Sequence, residues 1–260
     1  MGDDWLGHGY FWKASDSDTR FNDIGALDFD ALEGGFCKLK RARALYVDYP
    51  QLRLDMHLDA SMTEAQLDDW IIEHAAYISE GQVGRIRPGG DLHEWMDPVE
   101  IEEFVDLAEE KKRSGLRMKG GGRAATLFAD DEYSFVEEGR VEAKMFDVKG
   151  VGTSAIHQDL QIKACGFLSA IDAFKELAFQ RLLQRISEIS NQKSDIKWGT
   201  VRYLAIIDTG LKFKQGVVNP ATGYEGDRCV LAIRQRNSRL VSSSDEIVYY
   251  SVADREEIFK

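Results

Sequence analysis

The 260-residue chain is 43% apolar and 30% charged, a globular composition that excludes general disorder and allows a large core. Its net charge of −12 and pI near 5.0 disfavour direct contact with phosphate backbones or anionic lipid; they predict a basic partner, although acidity also serves solubility. There is no apolar run of bilayer length, and the acidic, aromatic start Met1-Gly2-Asp3-Asp4-Trp5 is unlike a secretory leader, so a cytoplasmic protein is expected. Cys37, Cys165 and Cys229 are odd in number and far apart, which suits reduced thiols.

In chain order, residues 1–36 read as an irregular arm. The run from Cys37 to Val47 predicts a strand ended by Asp48-Tyr49-Pro50, and Leu52–Leu58 predicts a second, short one. Ser61-Met62-Thr63-Glu64-Ala65-Gln66 is a helix start, with Glu or Gln three residues after a hydroxyl. Leu67, Trp70, Ile71, His74, Ala75 and Ile78 follow at helical spacing, and Gly81 supplies a stop. A second helix is expected from Asp97-Pro98-Val99-Glu100 along Ile101, Phe104, Val105 and Ala108 to Lys111-Lys112-Arg113 and Gly115. Beyond it, Ala124–Phe128, Val141–Val148, Val201–Ile207, Cys229–Arg234 and Ile247–Val252 predict strands, with a hairpin turn at Glu137-Glu138-Gly139-Arg140. One long helix, about Ala170 to Ile189, separates the second strand from the third. This order predicts an α+β fold with a mainly antiparallel sheet and one long buried helix, in a single domain spanning 1–260.

Three features could carry chemistry. In Lys119-Gly120-Gly121-Gly122-Arg123, consecutive glycines let backbone amides approach a phosphate and Arg123 could pair with it; a plain bend between elements is the other reading. Lys149, at the end of an apolar strand before Gly150-Val151-Gly152, either points into a cleft or is solvated. On the long helix, Glu176, Phe179, Leu183 and Ile186 share one face while Ile171, Phe174, Ala178 and Leu182 form another. Two apolar faces predict burial on two sides. A carboxylate at Glu176 then needs a cation, and Lys149 is the natural one. A strand lysine followed by a helix glutamate is the pairing by which kinases position ATP phosphates. The histidines His8, His57, His74, His93 and His157 lack metal-ligand spacing, so no metal site is expected. His74 reads as a packing residue, and His157 leaves a small catalytic role open.

Taken together, Gly120-Gly121-Gly122-Arg123-Ala124, Lys149-Gly150-Val151-Gly152 and Phe174-Lys175-Glu176-Leu177 resemble the N-terminal half of the selenoprotein O family, kinase-like proteins that transfer AMP from ATP to protein hydroxyls. The likeness runs over about residues 116–240 and includes Thr200-Val201-Arg202-Tyr203-Leu204 and Val230-Leu231-Ala232-Ile233-Arg234. It implies a kinase-like N-lobe at 116–240 with 1–115 packed on it as an extension. It also implies nucleotide contacts at Gly121, Gly122, Arg123, Lys149, Glu176 and Arg234. The chain departs from the family at Gly121, where an acid is expected, at Thr153, where an Arg is, and at Val241, with Arg239 out of register. The segment after Arg234 carries no counterpart of the family's metal-binding and catalytic acids, so the resemblance implies a truncated, catalytically incomplete member with no catalytic residue to name.

The expectation is therefore a binding module that needs no cofactor, although ATP could still bind. Its partner would be a protein or peptide, for instance a basic regulator or the precursor of a peptide natural product, held as a homo- or heterodimer. The alternative is an ATP-dependent AMP or phosphate transferase whose site is completed in trans.

Overall fold

The computed structural model describes residues 11–13, 32–93, 95–117, 123–129, 134–136, 140–142, 145–152, 165–193, 200–215 and 228–235. The elements are β1 (Phe11–Lys13), β2 (Leu32–Leu39), β3 (Arg43–Val47), α1 (Tyr49–Met56), α2 (Glu64–Ala75), β4 (Tyr77–Ser79), α3 (Glu80–Ile86), α4 (Ile101–Phe104), β5 (Val105–Asp106) and a 3-10 turn at Glu109–Lys111. They continue with β6 (Arg113–Arg117), β7 (Ala124–Phe128), β8 (Ser134–Val136), β9 (Arg140–Glu142), β10 (Met145–Lys149), β11 (Leu168–Ser169), α5 (Ala170–Asn191), β12 (Tyr203–Lys212) and β13 (Arg228–Gln235). The main sheet has the order β3-β12-β13-β10-β7-β6-β2-β4, with β11 on β13 and β5 on β2. Its strand pairs are antiparallel. A second, three-stranded sheet has the order β1-β9-β8, and the antiparallel pairing of β8 with β9 is what the expected hairpin requires. The fold is α+β with an antiparallel sheet and one long helix, as the sequence predicts.

Several local expectations change. The expected strand from Cys37 to Val47 is two strands that turn at Lys40–Ala42 and take distant places in the sheet. Charge holds the turn: Arg41 pairs with Glu103 at 2.6 Å and lies 4.3 Å from the Phe104 ring centroid, and Lys40 Nζ donates to the Glu102 carbonyl at 2.9 Å. Leu52–Leu58 is not a strand. Asp48 accepts from the Gln51 amide at 3.2 Å and Pro50 sits in the first turn, so the chain starts α1 instead. Helix α2 begins as expected, with a capping box between Thr63 and Gln66, but it ends at Ala75. Ile78 belongs to β4, and Gly81 lies inside α3 rather than stopping a helix. The helix expected from Asp97 to Gly115 is one turn, α4: Glu100 makes no side-chain cap bond, and Gly115 lies in β6. The strand expected at Val141–Val148 is divided between β9 and β10. Ile247–Val252 lies outside the described residues.

The sheet is covered on both faces. Leu231 and Ile233 pack with Phe36, Leu39, Leu52, Met56, Leu67, Ile71 and Phe146 in the larger core, while Val230 and Ala232 face Ala173, Leu177 and Tyr203 under α5. Burial on alternate sides accounts for the unbroken apolar run Cys229–Ile233. Helix α5 itself is buried along one face only, which corrects the expected two-sided burial. Ala173, Leu177 and Ser187 face inward, whereas Phe174, Phe179, Leu182, Leu183 and Ile186 are exposed. The inner face is small and polar towards its C-terminal half, where Gln180 donates to Thr200 Oγ1 and Thr200 donates to Gln184 Oε1, each at 2.9 Å. Among the described residues no helix is long and apolar enough to cross a membrane. Cys37, Cys165 and Cys229 are all buried, and no disulfide joins them.

Candidate functional site

The register of the central strands sets the site. Arg234 on β13 faces Tyr203 on β12 and Asp147 on β10, and Lys149 lies two residues beyond Asp147. Cross-strand partners and i, i+2 neighbours share a sheet face, so Lys149, Arg234, Tyr203 and Asp147 all emerge on the side covered by α5. Ala232, the register partner of Lys149, leaves room there. Glu176 comes down from α5 and pairs with Lys149, and its second oxygen accepts from the Tyr203 hydroxyl at 2.5 Å.

Arg123 closes the other side. Its carbonyl accepts from the Gly150 amide at 2.7 Å and the Val151 amide at 3.2 Å, and its Nη1 donates to the Phe167 carbonyl at 2.5 Å. The segment after Lys149 is pinned by the Ser79 amide donating to Val151 O at 2.8 Å and by the Gly152 amide donating to Gly166 O at 3.1 Å. Both glycines there are required by backbone geometry. Gly150 has φ +103°, and a Cβ would stand 2.5 Å from the Val230 carbonyl oxygen; Gly152 has φ +114°, and a Cβ would stand 2.5 Å from Gln82 Cβ. Lys149 is thus held at a fixed end of β10.

The cluster has more cations than acids. Arg123 and Arg234 lie near Lys149, which pairs with Glu176, and Asp147 faces Arg234 in the sheet register as a second carboxylate, a count of three cations to two acids. Burial pushes the Lys149 ammonium below its ordinary value; Glu176 opposes this, and Arg123 and Arg234 add to the depression. Burial alone would raise Glu176, but the charge and hydrogen bond of Lys149, the Tyr203 hydroxyl and Arg234 outweigh it and hold the carboxyl low. Burial first, and then Glu176, raise the Tyr203 hydroxyl. The Nε atoms of Arg123 and Arg234 are both buried without a hydrogen-bond acceptor among the described residues. A buried guanidinium N–H without an acceptor is costly. The cluster therefore has unused donor capacity and surplus charge in one place, which suits a multivalent oxyanion.

Of the residues expected from the sequence, Arg123, Lys149, Glu176 and Arg234 converge. Gly121 and Gly122 lie outside the described residues, as do Thr153, His157, Arg239 and Val241. Tyr203 and Asp147 are additions whose only signal is strand register. His74 is a packing residue: its ring stacks on Trp70 at 4.1 Å between centroids, and its Nδ1–H donates to the Trp70 carbonyl at 2.6 Å. Among the described residues no group of three or more His, Cys, Asp or Glu side chains converges to hold a metal ion.

A second polar network ties the N-terminal half to the sheet. Asp55 on α1 accepts from Gln51 at 2.6 Å and from Gln235 at 2.7 Å, while Arg202 donates to Gln51. Burial raises the Asp55 carboxyl, opposed by these two amides and Arg202.

No protein-family model, curated protein or solved structure matches the chain.

Proposed function

We propose that this chain is a binding module, with a selenoprotein O-like arrangement of residues, whose Arg123–Lys149–Glu176–Arg234 cluster receives the phosphates of a nucleotide, ATP being the first candidate. One observation carries the reading: two buried arginine Nε donors without acceptors among the described residues flank a lysine already ion-paired to a helix glutamate. Desolvated cations in surplus favour a phosphate, which can accept from both guanidinium groups at once. Recognition of a protein or peptide would accompany nucleotide binding and is the sense in which the module acts.

The second reading is an AMP or phosphate transferase completed in trans, and the same Lys149–Glu176 pair favours it. Such transfer needs metal-bound phosphate and an acid or base at the acceptor hydroxyl; a second chain would bring both.

Calorimetric titration with ATP, AMP and tripolyphosphate tests the proposal, using the wild type, Lys149→Met and Arg234→Gln. Binding that strengthens from AMP to ATP and weakens at least tenfold in both variants supports it. Absence of heat at millimolar ATP with a folded protein, or equal affinity in all three proteins, rejects it. Product formed from ATP and a candidate hydroxyl peptide only when a second chain is added would favour the transferase.

A further inference from the structure

Behind the anion cluster, on the face of the sheet that packs against α1, four residues close a ring of hydrogen bonds. Arg202 donates from its backbone amide to Gln235 Oε1 at 3.0 Å and from Nη1 to Gln51 Oε1. Gln235 Nε2 and Gln51 Nε2 donate in turn to the two oxygens of Asp55, at 2.7 and 2.6 Å. Asp55 is 2% exposed and Gln51 8%.

The direction of these bonds explains the acid. Arg202 donates into both arms of the ring, and each glutamine accepts on one side and donates on the other. Both arms therefore reach residue 55 as donors. A carboxylate accepts at both of its oxygens, whereas an amide accepts at one and donates at the other. A single bond between neutral side chains would tie α1 to the sheet without the cost of a buried carboxylate. The closed ring does more, because it fixes the backbone amide of Arg202 together with the side chain of Gln235.

What the ring holds is the last rung of β12 and β13. Tyr203 and Arg234 are cross-strand partners there, and the register shifts between Tyr203 and Ala205, so a bulge separates this rung from the regular ladder. Tyr203 opens β12, and β13 ends one residue after Arg234. Strand ends of this kind fray. Arg202 precedes Tyr203, Gln235 follows Arg234, and the Gln235 amide donates to the Arg202 carbonyl at 2.9 Å. Successive residues of a strand point to opposite faces. Clamping Arg202 and Gln235 to α1 on one face therefore aims Tyr203 and Arg234 into the cluster on the other.

We infer that Asp55 is a positioning residue: through Gln235 on one arm and Gln51 and Arg202 on the other, it holds the terminal rung so that Arg234 and Tyr203 point into the anion cluster. Its effect on affinity rests on the anion-site reading, whereas the placement of Arg234 is read without a ligand.

The test takes two readouts on the full chain: tripolyphosphate affinity by calorimetry, and the Arg234 Nε–H resonance of the free protein, assigned by Arg234→Gln. Asp55→Asn sets donor against donor somewhere in the ring whichever way the amides turn. Combining it with Gln235→Glu restores the ring, since the new carboxylate at 235 accepts from the Arg202 amide and from the new amide at 55. Asp55→Asn is expected to weaken tripolyphosphate binding at least fivefold and to move the Arg234 resonance; the double variant should return both towards wild type. Gln235→Met opens the ring at a half-buried position, leaves Asp55 in place, and should show the same two effects if Asp55→Asn does not fold. Thr63→Ala, which weakens the cap of α2 outside the ring, should change neither readout. A folded Asp55→Asn with wild-type affinity and an unmoved Arg234 resonance would overturn the inference and leave Asp55 a stability residue only. So would a double variant no closer to wild type than the single one. If tripolyphosphate does not bind the wild type while the resonance moves and returns as expected, the positioning of Arg234 stands and the anion-site reading falls.

Discussion

Replacing Glu176 by Gln removes the carboxylate that compensates Lys149 while keeping the side chain's shape. The two side chains of the pair are 21% and 37% exposed, so the pair is neither sealed nor free in solvent. Breaking a sealed pair costs about 3–5 kcal/mol and an exposed one about 0–1 kcal/mol. Solvent screening at Glu176 discounts the upper figure, which leaves about 2 kcal/mol for this site. The glutamine carbonyl can still accept from the Tyr203 hydroxyl, but its amide nitrogen then faces Lys149, so the deficit reports the lost charge together with the lost Lys149 hydrogen bond. The folded-state value of Glu176 lies below its ordinary 4.5. Its contribution is therefore complete above pH 4.5 and is lost as the pH falls through the folded value. Urea unfolding at pH 7 should show Glu176→Gln less stable by about 2 kcal/mol, with the difference from wild type shrinking below pH 4.5. Saturating tripolyphosphate should restore more stability to the variant than to the wild type, since the anion replaces the missing charge. A deficit that is the same at pH 3.5 as at pH 7, or a variant equal to wild type throughout, would refute this account of the pair.

Asp55 titrates with the opposite sign. Its folded value is raised above 3.8, so acidification through that value stabilises the fold relative to Asp55→Asn, and unfolding free energies of the two proteins across pH 3–7 should show it. Gly152→Ala forces a left-handed backbone and a Cβ against Gln82; a loss of about 2 kcal/mol or more is expected in urea unfolding. Gly84→Ala, in α3 with open space around it, should be neutral or gain about 0.5–1 kcal/mol in the same assay. Thr63→Ala removes half of the capping box of α2 and should cost about 1 kcal/mol, lowering the thermal midpoint.

The Lys149–Glu176 pair is legible in the sequence as a lysine ending an apolar strand and a glutamate on the following helix, although the two-sided burial of that helix, from which the pairing is argued, does not hold. Tyr203 is not, because its hydroxyl reaches Glu176 only through the alignment of β12 with β13, which no local pattern encodes. The glycines after Lys149 read only as the end of an apolar strand; the structure supplies their reason, since Val230 and Gln82 exclude a side chain from both positions. Helix α5 is legible in extent, but the sheet covers neither of the two apolar faces that its spacing suggests; it covers a third row, through Ala173, Leu177 and Ser187. Small Ala173 and the Gln180–Thr200–Gln184 bonds turn the less apolar face inward and leave Phe179 and Ile186 outside. Leu52–Leu58 alternates apolar and polar residues, which is a strand's pattern. The deciding residues lie just upstream, where Asp48 and Pro50 make a helix start.

Whether Lys149 stands in an anion site is tested most directly at Lys149 itself. Heteronuclear NMR of the lysine side chains, assigned by Lys149→Met, follows its titration with and without tripolyphosphate. The Lys149 ammonium is expected below its ordinary 10.5 in the free protein and to move upward when the anion binds. An anion that binds while the Lys149 titration stays in place would put the site elsewhere and contradict the account.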